Sequence, residues 1–212
     1  MGKREETRIR EEFSKAVLKG MSAVAKKSGW RKFQDSLIRV DSGFFFESNA
    51  YAYLNKRNTE FTFSAKPYDA DMIFWKIMSM EENEKSPLSL RSNGSFVCSS
   101  LPLAKTIVED DGQSASYISE QFLEWSNNNL KDFLKKISDN NFSSIIKANK
   151  AFLDKGSYSE TLICTLISEN NAKEAKAIAH DIVSGKKPRT MVYITKSKNF
   201  YELSESWIEN NA

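Results

Sequence analysis

The sequence predicts an α+β protein in which an N-terminal helix and an antiparallel β-meander pack with a helical C-terminal half. Three observations carry that prediction: apolar residues recur at helical spacing over residues 4–27, alternate at strand spacing over 44–54, and return to helical spacing beyond Ser114. The 212-residue chain then divides into an α+β part over residues 1–112 and a mainly helical part over 113–212, packed as one compact unit. A hydrophobic fraction of 40% with 14 Phe supplies enough apolar surface to offset the entropy of ordering such a chain.

The first element follows from Ile9, Phe13, Val17, Met21 and Val24, spaced by three and four on one helical stripe. Arg8, Lys15, Lys19 and Lys26 fall on nearly the opposite side, and Arg8 with Glu12 and Glu11 with Lys15 stand at pairing distance. That face reads first as solvated. Residues 1–32 hold 10 basic and 4 acidic side chains, however, leaving 21 basic and 24 acidic elsewhere. A nucleic-acid or acidic-partner surface on this helix is therefore an open alternative, although not the favoured one.

Ser28-Gly29 stops the helix, and residues 30–66 read as three strands. In the central one, Phe44, Phe46, Ser48, Ala50, Ala52 and Leu54 form the core-facing set, with Phe45, Glu47, Asn49, Tyr51 and Tyr53 on the second face. The loop 55–58 leads to Phe61, Phe63 and Ala65 facing inward, with Glu60, Thr62, Ser64 and Lys66 on a wet face. Pro67 ends that strand and Asp69 is the expected cap of a short helix over Met72–Met78. Residues 81–94 read as loop. Between Ser95 and Val108, Phe96, Val97, Ile107 and Val108 are expected to point inward, with Pro102 as a break and a turn at Asp110-Asp111-Gly112.

The C-terminal half begins with Ile118, Phe122, Trp125, Phe133 and Ile137, one helix or two broken near Asn127-Asn128-Asn129, and continues with a helix through Phe142–Leu153. Ser157 and Glu160 have capping-box spacing before an αα-hairpin whose second helix carries a seam of Ala172, Ala175, Ile178, Ala179 and Ile182. No second copy at a fixed period supports a repeat array. Thr190–Thr195 reads as a last strand, and Phe200, Leu203 and Trp207 as a terminal helix.

Chemistry is sparsely signalled. The single histidine, His180, lies at the flank of its helix; Cys98 and Cys164 form neither a metal pattern nor a disulfide scaffold, and Cys164 reads as a buried thiol. Gly185-Lys186-Lys187 lacks the first glycine and the hydroxyl residue of a P-loop. The acidic groups Asp69/Asp71, Glu81/Glu82/Glu84 and Glu109/Asp110/Asp111 read as caps and solubilising groups rather than a magnesium site. The sequence thus predicts no cofactor and no metal. With no apolar run near the roughly 20 residues that cross a bilayer and no apolar h-region at the N-terminus, it also predicts no membrane association and a reducing, cytoplasmic setting.

The junction Ala25-Lys26-Lys27-Ser28-Gly29-Trp30-Arg31-Lys32-Phe33, followed by Leu37-Ile38-Arg39 and Phe61-Thr62-Phe63, resembles a family of small, uncharacterised bacterial α+β domains over about residues 5–80. The resemblance implies a fold and no catalytic residues. The missing active-site signatures point first to a non-enzymatic protein-binding module, with the aromatic and polar residues Phe45, Glu47, Tyr51 and Tyr53 as its expected binding face; the favoured packing, however, has the C-terminal helices cover that face. Such a module resembles bacterial immunity or antidote proteins that occlude a toxin. The alternatives are a nucleic-acid-processing hydrolase with an acidic metal site and a nucleic-acid-binding protein using the basic helix.

Overall fold

A computed structural model describes residues 3–26, 28–93, 96–188, 194–195 and 197–211. Its elements run α1 (Lys3–Ala25), β1 (Arg31–Phe33), β2 (Ser36–Asp41), β3 (Phe44–Ala52), β4 (Asn58–Pro67), α2 (Tyr68–Met78), a 3₁₀ turn (Glu81–Lys85), α3 (Leu90–Asn93) and β5 (Leu101–Glu109). There follow α4 (Ala115–Ile137), α5 (Phe142–Ala148), α6 (Lys150–Leu153), α7 (Ser159–Ser168), α8 (Ala172–Val183), β6 (Ile194–Thr195), β7 (Lys198–Asn199) and α9 (Phe200–Asn211). The α+β class is as the sequence predicts, with an N-terminal helix followed by a meander. Strands β1 to β5 form one antiparallel sheet in sequence order.

The region expected to hold three strands holds four. Gln34 takes a left-handed φ of 50° and turns the chain between β1 and β2, which pair as Arg31↔Ile38, Lys32↔Leu37 and Phe33↔Ser36. A second tight turn uses Ser42 (φ 48°) and Gly43 (φ 80°), the two successive left-handed residues of a hairpin whose twist matches its strands.

The chain forms two compact units interleaved in sequence: residues 1–41, 46–65 and 102–136 in one, and 42–45, 66–101 and 137–212 in the other. In the first, α1 and α4 pack on the inner face of the sheet. Val17, Met21, Ala25, Phe46, Ala50, Phe61, Phe63, Ile118 and Phe122 are buried there, and the rings of Phe46 and Phe133 meet edge-on at 5.4 Å. The Asn-rich stretch does not break α4: Asn127 accepts the Trp30 indole N–H at 2.9 Å, and Asn129 donates to the carbonyl of Trp125 within the helix. Helices α1 and α4 approach closely at Gly20, where Ser119 Oγ donates to the carbonyl of Val17 at 2.9 Å.

Sequence reasoning misses Arg10 on α1. Ile9, assigned to the core stripe, is 40% exposed, whereas Arg10 is buried, because its guanidinium binds both oxygens of Asp110 at 2.8 and 2.9 Å and the carbonyls of Tyr53 and Asn58. Asp110 is accordingly a buried anchor rather than a solubilising turn residue, and it also accepts the Thr59 hydroxyl at 2.6 Å. Pro102 does not break β5. It lies in the edge strand, where a missing N–H costs no ladder bond on the outer side. Phe96 and Ile107, expected inside, are exposed.

The second unit centres on α2, α7, α8 and α9. Phe74 of α2 stacks on Phe200 of α9 at 4.9 Å, and the α7–α8 hairpin buries Ala175, Ala179 and Ile182 as its seam. Lys66, expected on the wet face, is fully buried: its three N–H groups reach Asp71, the carbonyl of Arg91 and the carbonyl of Cys98 at 3.0, 2.8 and 2.6 Å. Arg91 donates to Asp71 Oδ2 at 3.0 Å, so one carboxylate serves two buried cations. Asp69 makes no cap; α2 begins at Tyr68 after Pro67, without a side-chain cap bond. The expected capping box is also missing, because Tyr158 precedes α7 in a left-handed conformation and Glu160 instead accepts the Tyr201 hydroxyl. Of the strand expected over Thr190–Thr195, residues 190–193 lie outside the described residues and Ile194–Thr195 pairs with β7.

Candidate recognition face

A strand points alternate side chains to opposite faces, so β3 divides its residues between a core-facing row and an outer row. Phe46, Ser48, Ala50 and Ala52 are buried inward in the first unit. Glu47, Asn49 and Tyr53 are half-buried and Tyr51 is 57% exposed. This outer row is therefore open in the first unit. Phe45 departs from it: the ring is completely buried in the second unit, with the Lys66 ammonium 5.3 Å from its centroid, and it cannot contribute to an exposed surface.

Neighbouring strands complete the open face. Ser36 on β2 shares its hydroxyl with Glu47 Oε1 at 3.0 Å and Asn49 Oδ1 at 2.5 Å. Tyr51 and Tyr53 meet edge to face at 5.2 Å, the arrangement their ring quadrupoles favour. The Tyr53 hydroxyl donates to Glu60 Oε2 on β4, and Lys105 on β5 donates to the same oxygen at 2.8 Å. Ile107 lies two residues beyond Lys105 on the same side of β5 and is 53% exposed.

The electrostatics of this cluster are mutually reinforcing. Hydrogen bonds from Lys105 and Tyr53 hold the Glu60 carboxyl below its ordinary value, and the same bonds raise the Tyr53 hydroxyl and the Lys105 ammonium. At neutral pH the triad is therefore a neutral phenol, a carboxylate and an ammonium. Sequence reasoning found Glu47, Tyr51 and Tyr53 through strand alternation. It missed Glu60 and Lys105 as members of the cluster; Glu60 was legible as a wet-face residue, while Lys105 had no signal because β5 had no clear period.

The other sequence candidates do not converge on a reaction centre. His180 is exposed and pairs with Glu205 at 3.0 Å, and among the described residues no nucleophile bonds to it. Asp71 and Asp110 are engaged by buried cations and Asp111 by Arg57 at 2.9 Å. Among the described residues, no group of three His, Cys, Asp or Glu side chains is gathered as metal ligands would be. Cys164 is buried, and desolvation aided by a hydrogen bond with the free Cys98 thiol pushes it well above the ordinary thiol range, which makes it a poor nucleophile. Two clefts of about 120 and 250 Å³ in the first unit fall short of the roughly 300–1,000 Å³ typical of small-molecule sites. No described helix is long and apolar enough to cross a membrane.

Fold and face together define an α+β protein with a sheet open on part of its outer side. No protein-family model matches this chain, and no curated protein or solved structure matches it.

Proposed function

We propose that this chain is a non-enzymatic protein-binding module that presents the open sheet face, with Glu47, Tyr51 and Tyr53 joined by Glu60 and Lys105, to a protein partner. The observation that carries this reading is the tyrosine pair: Tyr51 is 57% exposed on a regular strand, braced at 5.2 Å by Tyr53, which is itself tied to Glu60. Tyrosines supply contact area at little conformational cost, and a face already held by its own hydrogen bonds loses little entropy when a partner docks. Occlusion of a toxin by a bacterial immunity or antidote-type protein in the cytoplasm is the role that suits such a face, since it needs a shaped surface and no reacting group. Of the acidic groups expected for a hydrolase, Asp71, Asp110 and Asp111 are tied to arginine and lysine, and among the described residues no three carboxylates gather, so the geometry lends that alternative no support.

The test is affinity capture from nuclease-treated lysate of the source organism, using the wild type, Tyr51→Ala and Lys105→Glu. The expected result is one stoichiometric protein retained by the wild type and lost from both variants. A partner retained equally by all three would move the interface elsewhere, and capture of no protein would overturn the module reading.

A further inference from the structure

The solvent face of α1 carries a row of basic side chains that continues to Lys26, just past the helix's last residue, Ala25. At about 100° per residue, Arg4, Arg8, Lys15, Lys19 and Lys26 all fall within an arc of roughly 60°, on the side opposite the buried Arg10, Val17 and Met21. All five are exposed, and the row they form is about 33 Å long at 1.5 Å per residue. Acids flank only its first half: Glu5, Glu11 and Glu12 border the arc, and Arg8 reaches Glu12 at 3.9 Å. From Phe13 to Phe33 the chain holds six basic residues and no acidic one. Among the described residues none forms an ion pair with Lys15, Lys19 or Lys26.

We propose that this lysine row binds the phosphodiester backbone of double-stranded nucleic acid, independently of base sequence. Charge complementarity selects the occupant. Lysine is depleted in protein–protein contacts, where aromatic residues and arginine dominate, whereas a line of mobile ammonium groups matches a line of phosphates. No aromatic residue stands among the five cations, so the row lacks the stacking platforms that hold single strands. Recognition is by charge alone, and its affinity falls as counterions compete. This surface is separate from the sheet face, and each is testable without the other.

The experiment measures fluorescence anisotropy of a labelled mixed-sequence duplex with wild type, Lys15→Glu/Lys19→Glu/Lys26→Glu and Lys15→Arg/Lys19→Arg/Lys26→Arg, between about 50 and 200 mM salt. Circular dichroism confirms that each variant is folded. Since each neutralised phosphate contributes about −0.9 to the slope of log affinity against log salt, the five cations set an expected wild-type slope of about −4.5, and the glutamate variant is expected to lose binding. The arginine variant keeps both affinity and slope, and Tyr51→Ala binds the duplex as the wild type does. Absence of duplex binding by the wild type at the lowest salt overturns the proposal, as does a glutamate variant with unchanged slope. A protein partner lost on the glutamate changes, with no duplex binding by the wild type, would make this face a protein interface and overturn it equally.

Discussion

Asp110 shows how much one carboxylate decides. Both its oxygens face Arg10, Thr59 adds a third bond, and its side chain is fully buried. Removing one member of such a pair strands the other charge in a low-dielectric setting, so Asp110→Asn is expected to destabilise the protein by about 3–5 kcal/mol in urea titrations. Glu60 illustrates a different balance, because it sits near the surface and its value lies in proton linkage. Its folded-state carboxyl is held below the ordinary value, so the unfolded chain binds the proton more readily. Glu60 therefore contributes stability above the ordinary carboxylate value, and that contribution disappears as pH falls through the depressed folded one. Lys105→Met is expected to lower the urea midpoint at pH 6, with the difference from wild type closing on acidification through the carboxylate range. Glu160 has the opposite sign: burial outweighs the Tyr201 hydrogen bond at 2.5 Å and raises its carboxyl. Its ionised form opposes folding at neutral pH and ceases to do so once pH falls below the ordinary carboxylate value. Glu160→Gln, whose amide oxygen can accept the same hydroxyl, is expected to be at least as stable as wild type at pH 7 and to lose that advantage by pH 4.

At the scale of elements, the contact of α1 with α4 depends on the lack of a side chain at Gly20. A methyl there would overlap Ser119 Oγ and come within 2.9 Å of Ser119 Cβ. Alanine normally gains up to about 1 kcal/mol over glycine in a helix, so a net loss of stability in Gly20→Ala would identify the contact as the stronger effect. Serine-to-glycine substitution at position 119 in that background is expected to recover stability by removing the colliding atoms. The comparable constraint in the second unit is ionic: Asp71 joins Lys66 of β4 to Arg91 of α3, and the Arg91 guanidinium lies 3.6 Å from the Tyr68 ring centroid.

For the whole molecule, the thiols offer a direct readout of opening. Cys98 and Cys164 both belong to the second unit and both are buried. Alkylation of either under native conditions is expected to require that unit to open, so both should label together and at rates that rise with denaturant. Labelling of Cys164 alone, quickly and without denaturant, would contradict its burial. What the sequence determined by itself was local and periodic: the helix of α1, the alternation of β3 and β4, the αα-hairpin and the exposed row of lysines, all set by spacings of 3.6 and 2. Tertiary structure alone decided the fate of isolated charges. Nothing adjacent in sequence announces that Arg10 meets Asp110 a hundred residues away, that Lys66 is enclosed, or that Lys105 completes the Tyr53–Glu60 cluster. A charged side chain leaves water only where distant segments supply its partners, and periodicity contains no record of which segments meet.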